Sequence, residues 1–359
     1  MVKASALQGE AGRPRLHFLV PGDLNVRTGG YGYDRRVAHG LQQLGWQVCH
    51  HALDASFPAP TRAALATAAS RLDQIGDDEI VLIDGLALGV MAEIVHRHRD
   101  RVRLVGLVHH LLADESGISP AQVSALRAGE VRALAAMRAI VVTSPATGQR
   151  LAAAGVAADR ITVIEPGTDR ALLAIRAGRP PLQLLSVGAV IPRKGHTILI
   201  DALAAIQQES WHLHLVGSLE REPKTAAQVV DQISRLGLSE RVTLTGELDD
   251  EDLDHAYRTA DLFVLASLFE GYGMAFAEAL ARGLPVVGSG DGAVRDTVPA
   301  DAGMLVEPGS SAALADALRL VLRDPARLHA LAAGAERTRT RLPDWPSRYR
   351  RWSETLKNV

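Results

Sequence analysis

The feature that most constrains this chain is a repeated alternation of short apolar runs with amphipathic segments. In the first half, predicted strands cover 16–20, 46–51, 79–84, 102–108, 139–143 and 160–164, and predicted helices cover 30–44, 61–75, 86–99, 120–137 and 145–154. The strand runs are rich in β-branched residues and show little polar alternation, as expected of parallel strands covered on both faces. The pattern therefore predicts a doubly wound α/β domain.

A second series of the same kind follows a segment rich in glycine and proline, Ile175–Pro181, which is typical of a linker. Predicted strands cover 182–187, 212–216, 242–245, 262–266, 285–288 and 304–306, and predicted helices cover 195–208, 223–236, 250–258, 273–282, 311–322 and 326–338. A length of 359 residues suits two domains. We predict an N-terminal domain over 1–176 and a C-terminal domain over 182–340, with a ligand cleft where they face each other.

The last segment predicts a separate helix. Asp344 can cap it, and an apolar stripe follows at helical spacing: Trp345, Tyr349, Trp352 and Leu356. Spacing alone fits a helix packed on its own domain as well as one that crosses back. We predict that 344–359 packs on the N-terminal domain, because its aromatic bulk suits a buried contact.

Composition and charge exclude several classes of protein. The chain has 39 Lys+Arg and 41 Asp+Glu, and a net charge of −2 supplies no field that would capture nucleic acid. The single cysteine, Cys49, excludes a disulfide framework and a cysteine-based metal centre, which fits a cytoplasmic location. The N-terminal segment lacks the apolar core of a secretory signal, and no apolar run reaches the roughly 18–20 residues of a transmembrane helix. The sequence does not indicate a peripheral membrane contact, but it does not exclude one.

The loop PGDLNVRTGGYG joins the first strand to the first helix. Gly29, Gly30 and Gly32 allow backbone N–H groups to approach a ligand at a helix N-terminus, which favours an anion. The spacing is not the G-x-G-x-x-G of dinucleotide-binding proteins. A flexible turn is the alternative, and the place of the loop after a strand favours phosphate or sugar contact.

The loop GAVIPRKGH follows the strand 182–187. It lacks a glycine before Lys194 and has Gly195 where a Walker loop has Ser or Thr, so magnesium-dependent NTPase chemistry is not supported. The vicinal cations Arg193 and Lys194 at a helix start oppose the helix dipole unless an anion lies between them. They therefore suit a diphosphate; a solvated basic cap is the plainer alternative.

The segment FEGYGMAFAEALARGLPVV, residues 269–287, carries two carboxylates eight residues apart. If 273–282 is helical, Glu270 and Glu278 are up to about 12 Å apart along the axis, whereas a glycosidase pair needs about 5–9.5 Å. They should therefore touch different parts of a long ligand. Glu278 could accept from a vicinal diol such as ribose, and Glu270 could hold a sugar and its phosphate with the amides of Gly271 to Ala275.

Other polar motifs give weaker signals. His109 and His110 end the strand 102–108, and because neighbouring strand residues point oppositely they cannot both chelate one ion. The pairs His96/His98 and His212/His214 lack companion ligands, and we interpret them as structural. The acidic run 249–254 opens a helix, where acidic residues are ordinary caps, so we predict no metal site there.

Taken together, these motifs resemble the family 4 retaining glycosyltransferases of the GT-B fold. The resemblance rests on the glycine loop, the histidine after an N-domain strand, VG…RKG, LVGS, the E-x7-E block and GLPVV, and it spans about Leu16 to the terminal helix. It implies transfer of a sugar from a UDP- or GDP-sugar to an acceptor hydroxyl, with retention, no metal and no cofactor beyond the donor co-substrate. It also implies two Rossmann-like domains.

The resemblance further implies a role for each motif. Glu270 and His109 would contact the reacting sugar as catalytic residues, and Glu278 would bind the ribose. The donor diphosphate would be bound by Arg193, Lys194, Gly29 and Gly30. The donor sugar would be bound by Gly271, Tyr272, Gly273, Met274 and Ala275.

Two departures from the family pattern keep alternatives open. Ala189 stands where the family usually has a phosphate-clamping arginine, and GAVRD at 292–296 replaces a GG…E pattern. A nucleotide-sugar epimerase on the same fold would bind the donor but need no acceptor. A non-catalytic binding protein would bind it without turnover. The nucleobase, the sugar, the acceptor and the oligomeric state are not specified by the sequence.

Overall fold

A computed structural model describes residues 13–115 and 117–359, which form two compact units. The first unit holds the described residues up to Asp114, then 118–166 and 345–359; the second holds 167–344 together with Glu115 and Gly117. The N-terminal residues 1–12, on which part of the prediction about a secretory signal rests, lie outside the described residues. No described helix has both the length and the apolar character needed to cross a membrane.

The first unit is built on a six-stranded parallel sheet. Its strands are β1 (Arg15–Pro21), β2 (Gln47–Leu53), β3 (Ile80–Asp84), β4 (Arg103–Val108), β5 (Ala139–Val142) and β6 (Ile161–Val163). Its helices are α1 (Gly29–Gln43), α2 (Arg62–Asp73), α3 (Gly85–Leu88), α4 (Ala92–His98), α5 (Pro120–Ala135) and α6 (Pro145–Ala153). The strand order is β2-β1-β3-β4-β5-β6, so successive connections reverse direction between β1 and β3.

The second unit repeats this architecture. Its strands are β7 (Leu182–Val187), β8 (Trp211–Val216), β9 (Val242–Gly246), β10 (Leu262–Glu270), β11 (Val286–Gly292) and β12 (Gly303–Val306). Its helices are α7 (His196–Ala204), α8 (Pro223–Arg235), α9 (Asp250–Thr259), α10 (Met274–Ala281), α11 (Val294–Thr297), α12 (Ser311–Arg323) and α13 (Pro325–Arg339). The order β12-β11-β10-β7-β8-β9 reverses between β7 and β10. The predicted pair of doubly wound parallel sheets is confirmed.

The last helix, α14 (Trp345–Lys357), belongs to the first unit. All four residues of its predicted stripe are buried in the same apolar cluster as Tyr33 and Leu41. The indole Nε1–H of Trp352 donates to the Tyr33 hydroxyl at 2.9 Å, and that hydroxyl donates to the Ile164 carbonyl at 2.8 Å. A Cβ on Gly40 would lie 2.1 Å from the Tyr349 ring, so the close approach of α1 to α14 requires glycine there.

The chain leaves the first unit earlier than the boundary predicted at 176. Residues from Gly167 onward already belong to the second unit, because backbone bonds tie them to it: the Ala174 N–H donates to Arg282 at 2.9 Å and the Ile175 N–H to Arg258 at 2.7 Å. The predicted linker 175–181 therefore lies within the second unit, which continues to Asp344 rather than 340.

The single helix predicted over 86–99 is wrong. The structure has two helices, α3 and α4, interrupted at Gly89–Met91. A Cβ on Gly89 would lie 2.7 Å from Leu112 and 2.9 Å from Glu130, so the interruption lets neighbouring elements approach the backbone closely. Hydrophobic spacing carries no signal for such a packing constraint.

Candidate active site

The reversal point of the second sheet carries the cations predicted from the sequence. In open α/β sheets, ligands bind at the carboxyl ends of the strands where the order reverses. Arg193 and Lys194 lie there, in a 3-10 turn over Pro192–Lys194 that follows β7, and α7 begins only at His196. The helix predicted over 195–208 therefore begins one residue later than expected, and the two cations lie directly before it.

Gly195 explains why the turn is possible. Its φ is +61°, and a Cβ there would lie 2.0 Å from the Ala266 carbonyl oxygen of β10. Only glycine allows the turn to lie so close to the neighbouring strand. The sequence RKG thus holds both cations against the carboxyl end of β10.

Glu270, the last residue of β10, joins the two cations. Its Oε1 accepts from Lys194 Nζ at 2.6 Å and from the Ser267 hydroxyl at 2.6 Å, and its Oε2 lies 3.5 Å from Arg193 Nη1. Arg193 Nη1 also donates to the Phe269 carbonyl at 2.8 Å. The carboxylate is 7% exposed, and the two cations are 17% and 16% exposed. The structure therefore brings these three predicted site residues together.

The electrostatics of this cluster rest on two cations and two carboxylates. Burial by itself would raise the pKa of Glu270, but the charges of Lys194 and Arg193 outweigh it and hold that pKa below its usual value. Glu115, whose side chain is 40% exposed, lies 3.3 Å from Arg193 Nε, so the charges of the four groups balance. A phosphate that binds the two cations therefore competes with the exposed Glu115 carboxylate for Arg193.

The glycine-rich turn after Glu270 leads into α10. Gly273 has φ +89° and caps the helix, so Met274 and Ala275 supply first-turn amides. The turn is anchored by the Thr297 hydroxyl, which donates to the Tyr272 carbonyl at 2.9 Å. The structure thus places 271–275 at a helix N-terminus next to Glu270, an arrangement that suits an oxygen-rich ligand.

Glu278 lies on α10 in a separate network. Its Oε2 accepts from the Tyr257 hydroxyl at 2.9 Å, and the Arg282 guanidinium lies 4.5 Å from the Tyr257 ring centroid. Burial raises the pKa of Glu278, and the hydrogen bond from Tyr257 only partly offsets it. Since Glu270 bonds to Lys194 and Glu278 to Tyr257, the two carboxylates share no hydrogen-bond partner.

The first unit gathers its polar groups at its own reversal point, between β1 and β3. Gly29 and Gly30 form the first turn of α1, which Thr28 caps by accepting from the Tyr31 N–H at 3.1 Å. A Cβ on Gly30 would lie 3.6 Å from the His109 ring, so the glycine turn and His109 are neighbours. His109 itself follows β4, as predicted.

Two buried carboxylates accompany His109. Its Nε2 lies 3.1 Å from Asp34 Oδ1 and 3.5 Å from Asp84 Oδ2. Burial opposes the charged imidazolium, but the two carboxylates outweigh that effect and raise the pKa of His109 to about 10. Asp34 and Asp84 are fully buried, whereas the His109 side chain is 18% exposed.

In the part of the chain that the structure describes, Asp34, Asp84 and His109 are the one group of three with the spacing of metal ligands. The geometry suits an ion pair, because Nε2 of His109 lies 3.1 Å from Asp34 Oδ1 and 3.5 Å from Asp84 Oδ2, and two negative charges at these distances favour the protonated ring. The acidic run 249–254 is a cap, as predicted: Asp249 accepts from the Asp252 N–H at 2.9 Å.

The histidine pairs predicted to be structural also have ordinary partners. His96 bonds to the Arg132 carbonyl, His98 to Asp73, His212 to Thr243 and His214 to Gln183.

The sequence interpretation missed four residues of these networks: Asp34, Asp84, Tyr257 and Ser267. Two of them carried a usable signal. Asp84 ends the apolar strand EIVLID, the same position that pointed to His109, and Asp34 lies three residues before buried Val37 on the inward face of α1. Tyr257 and Ser267 carried none, since a tyrosine in a helix and a serine in a strand are common.

Comparison with known proteins fits this geometry. The model of glycosyl transferases group 1 matches residues 175–338, and that of glycosyltransferase family 4 matches residues 51–172. A D-inositol 3-phosphate glycosyltransferase from Catenulispora acidiphila is 33% identical over 72% of this chain and 68% of its own length.

Two solved structures share the fold. Sucrose-phosphate synthase from Thermosynechococcus elongatus has a TM-score of 0.82 at 21% identity, covering 96% of this chain and 99% of that one. The Anabaena protein HepE in complex with UDP-glucose has a TM-score of 0.76 at 21% identity, covering 96% and 100%. The GT-B fold is thereby confirmed. From its motifs, its two family matches and its curated relative, the chain belongs to glycosyltransferase family 4.

Proposed function

We propose that this enzyme transfers a hexosyl group from a nucleotide-sugar donor to an acceptor hydroxyl, with retention at the anomeric carbon and without a metal. The observation that carries the proposal is the cluster of Arg193, Lys194 and Glu270 at the reversal point of the second sheet. The two cations supply the charge that a divalent ion supplies in other transferases. In this proposal they bind the donor diphosphate and Glu278 binds the ribose.

The step itself breaks the bond between the anomeric carbon and the diphosphate oxygen and forms a bond from that carbon to the acceptor oxygen. Negative charge grows on the departing diphosphate, where Arg193 and Lys194 stabilise it. The first-turn amides of α10 face the same edge of the sheet as Glu270 and would hold the sugar. The proton of the acceptor hydroxyl passes to a departing phosphate oxygen, so no strong protein base is required.

Donor and acceptor choices start from the relatives. HepE was solved with UDP-glucose, so UDP-glucose is the first donor to try, with a GDP-sugar beside it. The acceptor panel begins with D-inositol 3-phosphate, named for the Catenulispora relative, and adds simple saccharides and a lipid-linked acceptor.

The test measures nucleoside diphosphate release and product formation for each donor with and without each acceptor. We expect release that depends on an acceptor, an α-linked product from an α-linked donor by NMR, and activity that survives EDTA. A β-linked product would refute retention, and a strict requirement for added Mg²⁺ or Mn²⁺ would refute metal independence. Conversion of the donor alone into another sugar would identify an epimerase, and tight donor binding without any turnover would identify a binding protein.

A further inference from the structure

The cluster around His109 contains more charge than a hydrogen-bonded loop histidine needs. Asp34 is 0% exposed and Asp84 is 1% exposed, and both face the same ring nitrogen of His109. Burying a carboxylate is costly unless it is paired. Asp34 alone would suffice to orient the ring. Asp84 also caps α3, since its Oδ1 accepts from the Leu86 N–H at 2.8 Å, so it is the Oδ2 facing the ring that needs a separate explanation.

The backbone and the ring of His109 are each held by a further contact. The Thr143 hydroxyl donates to the His109 backbone carbonyl at 3.1 Å, and the Tyr33 ring meets the imidazole edge-on with centroids 5.4 Å apart. Among the described residues, the titratable side chains recorded against the imidazole are Tyr33 and Asp34 on α1 and Asp84 at the end of β3. Burial raises the pKa of Tyr33, so it stays neutral.

The second ring nitrogen is in a different position. Nε2 bonds to Asp34 Oδ1 at 3.1 Å and lies 3.5 Å from Asp84 Oδ2, which accepts no hydrogen bond from the described residues. Among the described residues, the hydrogen bond of the ring is made through Nε2 and none is made through Nδ1. The side chain retains some exposure. An imidazolium held in this way has one N–H group bound inside the protein and one available to a ligand oxygen.

We propose that Asp34 and Asp84 are positioning residues that hold His109 as an imidazolium, so that its Nδ1–H can be donated to a ligand oxygen beside the glycine turn at Gly30, which neighbours the ring. This inference rests on the proposed function for its activity readout, and it adds His109 to the residues of the first unit that contact a ligand. It assigns His109 the role of a permanent charged donor and excludes the role of a base. The two neighbouring carboxylates favour the charged ring and raise the pKa of His109 although burial opposes it, so the imidazolium is the form expected at pH 7.

Two carboxylates serve this purpose better than one. Each unit of pKa shift corresponds to about 1.4 kcal/mol of preference for the charged form. A single carboxylate would have to outweigh the burial of the ring alone. The pair supplies two negative charges for one positive charge, and burial, with a smaller contribution from Asp84, raises the pKa of Asp34 to about 6 although His109 opposes it.

The experiment measures the protonation of His109 directly. In protein labelled with ¹⁵N and ¹³C at histidine, the His109 signals are identified by their loss in His109→Gln and followed from pH 6 to 9. We expect no titration in the unmodified protein over this range, and a pKa lowered by at least one unit in Asp34→Asn and in Asp84→Asn. Asp73→Asn, which removes the partner of His98 at 3.4 Å, is the matched control and should leave His109 unchanged.

The second readout is the pH profile of kcat. The unmodified enzyme should change less than twofold between pH 6.5 and 8.5, and Asp34→Asn should lose activity progressively towards pH 8.5, in proportion to the neutral fraction of His109 that the NMR titration gives, while recovering at the acid end. A loss that is equal at every pH would show a merely structural role and overturn the proposal. Titration of His109 near 6.5 in the unmodified protein would also overturn it, as would broadening of its signals by Mn²⁺ bound at the cluster.

The two readouts separate this inference from the proposed function. The NMR titration needs no donor or acceptor, so it tests the charge state of His109 even if every transfer assay fails. If Asp34→Asn does not fold, Asp84→Asn supplies the same test, because its remaining amide oxygen can still accept from the Leu86 N–H as Asp84 Oδ1 does at 2.8 Å.

Discussion

Replacement of Trp352 tests whether α14 is an integral part of the first unit. The indole is fully buried and its N–H donates to Tyr33, which in turn bonds to Ile164. Trp352→Ala removes a side chain whose truncation in a core typically costs about 3–5 kcal/mol. Loss of the hydrogen bond adds about 1 kcal/mol. We therefore expect Trp352→Ala to lower the stability of the first unit by about 4–6 kcal/mol.

A graded series separates the two contributions. Trp352→Phe keeps most of the apolar volume but removes the donor, so it should cost only about 1–2 kcal/mol. Glu354→Ala changes an exposed residue on the same helix and should stay within about 0.5 kcal/mol of the unmodified protein. The ordering of these three variants is the signature of buried packing.

Hydrogen exchange followed by mass spectrometry is the suitable assay, because two units need not unfold in one step. Amides of β1 and α1 report on the first unit, and those of β7 and β10 serve as an internal reference that should not change. Since Tyr33 also contacts the His109 ring, transfer activity should fall in Trp352→Ala. An unfolding free energy of β1 and α1 within 1 kcal/mol of the unmodified protein would refute the reasoning.

Three further predictions concern the second unit. Arg193→Ala should weaken binding of whichever of UDP and GDP the enzyme accepts by about 1.5–3 kcal/mol, since it removes a charged hydrogen bond; calorimetry measures this. Glu278→Gln should weaken nucleotide binding, whereas Glu270→Gln should leave it at least as tight, because it removes the negative charge beside Lys194, and should lower transfer at least tenfold. His196→Leu should raise stability in acid. Burial lowers the pKa of His196 to about 3, whereas the unfolded chain has a pKa of about 6.5, so the folded state holds the neutral ring. As the pH falls below 6.5 the unfolded state gains a proton that the folded state does not, and the folded protein loses about 3 kcal/mol of stability at pH 4.5.

Each of these has a result that would contradict it. Unchanged UDP and GDP affinity in Arg193→Ala would remove that residue from the diphosphate site, and Arg221→Ala, an exposed cation of the same unit, is its control. Equal loss of nucleotide binding in both glutamate variants would refute the division of their roles. For His196, urea unfolding at pH 7.5 and 4.5 is the measurement, and an unaltered difference between the two pH values in His196→Leu would show that this ring does not carry the acid sensitivity.

The fold could be predicted because its determinants are local. Runs such as LHFLV and LQLLSV carry their strand signal in their own residues. The need for glycine in the turn RKG, by contrast, appears only in the structure, where a Cβ on Gly195 would lie 2.0 Å from the Ala266 carbonyl oxygen. The hydrogen bond between Lys194 and Glu270 could not be derived from their spacing, because 76 residues separate them. Only the order of the strands brings β10 beside β7. The Asp34–His109 contact, across 75 residues, is hidden for the same reason.

The predicted domain boundary and the predicted helix 86–99 differ from the structure because tertiary packing outweighs the signal in the neighbouring residues. The proline-rich segment before β7 has the composition of a linker, but the backbone bonds of Ala174 and Ile175 attach the preceding residues to the second unit. Gly89 interrupts a pattern that is helical on both sides because Leu112 and Glu130 occupy the space of a side chain. Neither fact is encoded in the neighbouring residues.

The place of α14 has a consequence for how the protein is made. A ribosome releases α1 long before Trp345, and the roughly 300 intervening residues take about 15–60 s at about 5–20 residues per second. During that time the face of α1 that carries Tyr33, Val37 and Leu41 lacks the aromatic side chains that cover it in the finished molecule. The nascent first unit therefore exposes an apolar surface that chaperones and neighbouring chains can bind until the final helix emerges.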